Sequence, residues 1–96
     1  MYGLIGKIVA VEGKRGELAE ILTGMEAMPG CSSYLVGADA ADPNALWVTE
    51  VWVSQEAHAA SLELPVVQAA IARGRDLIAG VENRVETEVL GGIGLT

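Results

Sequence analysis

Two periodicities alternate along this chain. Tyr2 to Val11 is β-branched and apolar without a helical stripe, and it reads as a strand ended by Glu12-Gly13-Lys14. From Arg15 to Met28 the apolar positions become Leu18, Ile21, Leu22 and Met25. That i, i+3, i+4, i+7 spacing marks one face of a helix, with Glu17, Glu20 and Glu26 off the stripe. Pro29-Gly30 is its stop signal. Cys31 to Ala38 reads as a second strand, Asp39 to Asn44 as a polar turn cluster, and Ala45 to Val53 as a third strand. Ser54 suits the N-cap of a short helix running to about Leu62, with Glu56 where the helix dipole favours an acid. Pro65 suits the first turn of a longer helix. Its inward stripe is expected to be Val67, Ala70, Ile71, Gly74, Leu77, Ile78 and Val81. Asn83 to Leu90 alternates as a fourth strand, with Val85, Thr87 and Val89 against Arg84, Glu86 and Glu88. The tail, residues 91–96, is open between a bent continuation and an arm that reaches a partner.

The order β-α-β-β-α-β predicts an α+β fold, the ferredoxin-like split βαβ arrangement, as a single domain over residues 1–96. Such a sheet carries helices on one face only. Yet the first strand is apolar on both sides, Leu4 and Ile8 against Ile5, Val9 and Val11. The third is too, Leu46, Val48 and Trp52 against Trp47, Val51 and Val53. A sheet with two apolar faces needs cover on both. The simplest cover for the second face is the same face of another copy, so a homodimer joined sheet to sheet is expected.

Composition narrows the partners. Thirteen acids against six bases give a net charge of −7, which argues against nucleic acid and against an anionic membrane surface. The single cysteine, Cys31, has no internal disulfide partner. No apolar run has the length of a membrane span, and Met1 to Lys7 lacks the features of a secretory signal, so a cytoplasmic location is expected. There is no G-x-G-x-x-G, no P-loop and no clustered Cys/His set, so neither a bound dinucleotide nor a metal finds support and no cofactor is expected.

The candidate chemistry concentrates on one segment. Of four aromatic residues, two tryptophans fall on the third strand, and Glu50 and Trp52 share a face of it. The strand then turns into the helix that carries His58, the one histidine. His58 has the one side chain type that titrates near neutrality and is the candidate for proton transfer. Trp52 is either a pocket wall or a core residue whose indole N–H finds one partner. Glu50, on an apolar strand, needs a partner and reads first as a structural acceptor for a backbone amide or an arginine. Tyr34 either bonds a ligand or covers an edge. Helical spacing puts Arg73 beside the Val67–Ile78 stripe and Arg75 further out, where a solvated arginine is the default.

Pro29-Gly30-Cys31 with Tyr34, the Asp/Pro/Asn turn, Glu50-Val51-Trp52 and Ser54-Gln55-Glu56-Ala57-His58 resemble the antibiotic biosynthesis monooxygenase (ABM) family, from about Tyr2 to Leu90. That family includes quinol and anthrone oxygenases, haem-degrading enzymes and an autoinducer-processing isomerase. The resemblance implies a dimeric α/β barrel. It also implies a monooxygenase that needs no flavin or metal and oxidises a small aromatic hydroquinone or phenol with O₂. By the same resemblance Trp52 flanks the substrate. The expected site then has His58 and Trp52 as catalytic residues, and Trp52, Tyr34, Glu50 and Arg73 as substrate contacts. Gly6 stands where haem-degrading members carry an asparagine, and Ser61 and Leu62 where they carry a histidine, which disfavours haem degradation. The alternatives are a dimeric module that binds a small ligand without turnover, and a cofactor-free isomerase. An oxygenase needs an apolar cavity reaching Trp52, an isomerase needs several convergent polar groups, and a non-catalytic module would fill that space with side chains.

Overall fold

The computed structural model describes residues 1–26 and 28–95. Four strands, β1 (Tyr2–Ala10), β2 (Cys31–Ala38), β3 (Ala45–Trp52) and β4 (Ile78–Glu88), form one antiparallel sheet in the order β2-β3-β1-β4. Helices α1 (Arg15–Thr23), α2 (Gln55–Ser61) and α3 (Pro65–Gly74) complete the α+β ferredoxin-like fold. The two central strands of the sheet, β1 and β3, pair from Tyr2 opposite Trp52 to Val9 opposite Ala45. This register sets Leu4, Ile8, Leu46, Val48, Glu50 and Trp52 on the helix side, because directly opposed residues share a face.

Two boundaries differ from the sequence expectation. The first helix stops at Thr23 rather than at Met28: Gly24, a poor helix residue, sits at its end with its N–H on the Glu20 carbonyl at 3.0 Å. Met25 and Met28 thereby leave the helix and enter the core as loop residues; Ala27, within the expected helix, lies outside the described residues. The third helix ends at Gly74, and a single 3₁₀ turn, Arg75–Leu77, leads into β4 at Ile78 rather than at Asn83. Ile78 and Val81, placed on a helical stripe by spacing alone, instead pair with Ala10 and Ile8. The open edge of β1 provides hydrogen bonds to a strand, and that pairing overrides a helical period continued through Gly80. β4 then accommodates one extra residue between Glu82 opposite Lys7 and Val85 opposite Ile5. Asn83 takes a positive φ of 51° at this bulge.

The interior is filled in two halves. Ala10, Leu18 and Leu46 are buried together at one end of the sheet, with Ile8, Leu22, Val36 and Ile78 packed on them. Met28, Trp52 and Val67 are buried at the other, with Tyr2, Met25, Tyr34 and Leu64 around them. No helix among the described residues is long and apolar enough to cross a membrane.

Candidate functional site

Between those two halves, under the helices, lies a cavity of about 480 Å³. Leu18, Ile21, Leu22 and Met25 line it from the first helix and the loop after it, Val67, Ala70 and Ile71 from α3, and Ile8 and Ile78 from the sheet. Its polar lining is confined to Tyr34, Glu50, His58, Ser61, Arg75 and the indole of Trp52. The size and apolar walls suit a small aromatic molecule, with a few polar groups to orient it.

Glu50 and Trp52 project to the same side of β3, as the strand period requires, and they bond to each other: the indole Nε1 donates to Glu50 Oε1 at 3.0 Å. The same oxygen stands 4.0 Å from His58 Nε2, with both side chains largely buried. His58 is brought there by α2, whose start is fixed by Ser54: its hydroxyl accepts the Ala57 N–H at 3.1 Å. The imidazole is wedged between two rings, edge-on to Trp52 at 5.3 Å and tilted against Tyr2 at 5.6 Å. Tyr2 is in turn tied to β4 through its hydroxyl, which donates to Glu86 Oε2 at 2.7 Å. The Glu50 carboxylate therefore has an indole partner, where the sequence suggested a backbone amide or an arginine.

Tyr34 sits opposite Glu50 across the β2–β3 pair. Burial, and then the negative charge of Glu50, push its phenol up to about 12, so it remains a hydrogen-bond donor at all ordinary pH values. Cys31, nearby on β2, has its thiol pushed up by burial and directs its Sγ to the Ser33 carbonyl. Among the described residues no group of three His, Cys, Asp or Glu side chains stands close enough together to hold a metal ion.

The structure thus brings Tyr34, Glu50, Trp52 and His58 to one end of one cavity. Arg73 is not with them. It is exposed near the end of α3, and Arg75 lines the cavity instead. The helical wheel placed Arg73 beside the inward stripe. Arg73, still inside α3, lies off the buried face formed by Val67, Ala70 and Gly74 and is exposed, and the 3₁₀ turn after Gly74 takes Arg75 to the cavity instead. Arg75 and the ring contact of Tyr2 are the site features that the sequence did not reveal. The first depends on that turn, and the second on Tyr2 being the cross-strand neighbour of Trp52.

Fold and site define a ferredoxin-like α+β domain with a largely apolar cavity between its sheet and helices. Residues 1–73 match the ABM family, antibiotic biosynthesis monooxygenase. The chain belongs to that family. A crystal structure from Chloroflexus aurantiacus J-10-fl, assigned to antibiotic biosynthesis monooxygenase, is 54% identical with a TM-score of 0.96, over 99% of this chain and 98% of that one. A Deinococcus radiodurans structure with the same assignment is 25% identical with a TM-score of 0.76, covering 100% of this chain and 99% of that one. One from Nitrosomonas europaea, at 19% identity and a TM-score of 0.82, covers 95% and 100% and supports the fold alone. No curated protein matches the chain.

Proposed function

We propose that this protein is a cofactor-independent monooxygenase that oxidises a small aromatic hydroquinone or phenol with O₂. The observation that carries the reading is the cavity itself. It is unfilled, walled by aliphatic and methionine side chains, and ends on Trp52, Glu50, His58 and Tyr34. A substrate seated with its hydroxyl at that end meets His58 as proton acceptor, with the Glu50 carboxylate beside the ring to stabilise the imidazolium formed. The 4.0 Å separation is longer than a hydrogen bond, as catalytic contacts often are before substrate closes the site. Tyr34, held protonated, donates to the substrate oxygen. The deprotonated ring passes an electron to O₂, the two radicals combine at a ring carbon that carries hydrogen, and the His58 imidazolium returns its proton to give a hydroperoxide. Loss of water then leaves a quinone: one oxygen atom in the product and one in water. Apolar walls that exclude water protect such intermediates.

The same reading includes a homodimer through the sheet face away from the helices. Ile5, Val9, Trp47 and Val51 are half-buried there, and Leu35 and Val85 are exposed. An apolar face of this kind on a sheet is typical of an association surface.

Oxygen uptake with a panel of hydroquinones and phenols, without added metal or flavin, tests the reaction. Turnover is expected, and His58→Gln is expected to lower it about 10²–10⁴-fold, the usual contribution of a general base. Saturable quenching of tryptophan fluorescence with no oxygen uptake across the panel would reject the oxygenase in favour of a binding module.

A further inference from the structure

The cavity has two electrostatically opposite ends. Glu50 stands at one, bonded by the Trp52 indole with His58 4.0 Å away. At the other, Arg75 is the single cation among the lining residues. Lys7 pairs with Glu82 at 3.6 Å, Lys14 pairs with Glu17 at 3.2 Å, and Arg15 donates to the Asp42 carbonyl at 2.9 Å. Arg75 makes no ion pair and no side-chain hydrogen bond with any described residue. Strand register separates the ends. Arg75 opens the turn that leads into Ile78, which pairs with Ala10, whereas Glu50 pairs with Leu4. Ala10 and Leu4 lie six positions apart on β1, about 20 Å at ~3.3 Å per residue. Two long side chains reaching inward shorten that gap toward the length of a substituted aromatic molecule.

Resting on the oxygenase reading above, we propose that the substrate is a hydroxyaromatic acid, bound with its reacting hydroxyl at Glu50, His58 and Tyr34 and its carboxylate at Arg75. Orientation follows from charge. A carboxylate placed beside Glu50 meets a like charge in a poorly hydrated site, while at Arg75 it gains a charge-assisted bond to a guanidinium fork. A guanidinium with five donors and no partner, at the end of the cavity away from Glu50, is suited to that group. Arg75 is exposed, so water and salt weaken the interaction, and the acid is expected to gain about tenfold in affinity rather than the larger factor of a buried pair.

The test is anaerobic binding followed by tryptophan fluorescence, because Trp52 forms part of the cavity wall. The probes are 2,5-dihydroxyphenylacetic acid and its primary amide. The acid is expected to bind about tenfold tighter at low salt, and Arg75→Gln is expected to abolish the difference by weakening the acid alone. Arg73→Gln, which removes the same charge from a residue that does not line the cavity, is expected to leave the preference intact. Equal affinities for acid and amide, a preference that survives Arg75→Gln, or saturable binding of neither compound would overturn the proposal. Oxygen uptake is read separately. Acid-selective binding without uptake rejects the oxygenase and leaves the two-ended cavity standing, whereas equal binding with uptake does the reverse.

Discussion

Glu50 illustrates how much a single side chain depends on neighbours the sequence cannot identify. An acid between Thr49 and Val51 on an apolar strand announces that it needs a partner. The indole two residues along the same face is that partner, and the strand period makes the pairing legible in hindsight. The approach of His58 to the same oxygen is different, because it depends on the angle at which α2 leaves the sheet. Tyr34 carries a measurable consequence of this charge. Its pKa rises from 10.0 to about 12 on folding, so the protonated phenol contributes stability that is fully present below pH 10 and is lost as pH rises toward 12. Denaturant unfolding across that window is expected to show stability falling with pH. Tyr34→Phe is expected to flatten the slope, leaving the smaller contributions of Tyr2, raised by its bond to Glu86, and of Cys31, raised by burial.

Helix α2 is the element on which the site turns, and its position is set from both sides. Ser54 caps it, a feature legible from Ser54 and Glu56 alone. Its packing distance is set by Pro29-Gly30, which the sequence presented only as a stop signal. Cys31 N–H bonds to the Met28 carbonyl at 3.0 Å, and Gly30 has φ 81°, the pattern of a type II turn with proline and then glycine at its centre. A Cβ on Gly30 would stand 2.7 Å from the Ala57 Cβ, one residue before His58. Gly30→Ala is therefore expected to cost about 1–2 kcal/mol from the left-handed backbone, plus the cost of pushing α2 outward. Urea denaturation measures the first effect. A weakened tryptophan response to ligand, relative to Ser54→Ala, measures the second. The boundary between α3 and β4 was not legible for a related reason. Ile78 and Val81, three apart, fit a helical period, and they oppose Ala10 and Ile8 only through a register shift at Val9/Ala10 that the pairing with β1 decides.

At the scale of the molecule, two-sided apolar strands predict an association surface, and the test is sedimentation. The protein is expected to sediment as a dimer at micromolar concentration, and Val51→Asp, on the face away from the helices, to shift it to monomer while the far-ultraviolet circular dichroism of the fold persists. A wild-type monomer would remove the dimer from the reading. By itself the sequence determined the order of elements, the ferredoxin-like class and the segment from Glu50 to His58. These follow from periodicity, capping and turn chemistry, which act over a few neighbouring residues. Tertiary structure alone decided that Met25 and Met28 pack into the core, that Tyr2 lies tilted against His58, and that Arg75 rather than Arg73 lines the cavity. Each of those depends on which strand lies beside which and where a helix stops against it, and such contacts join residues that are far apart in the chain.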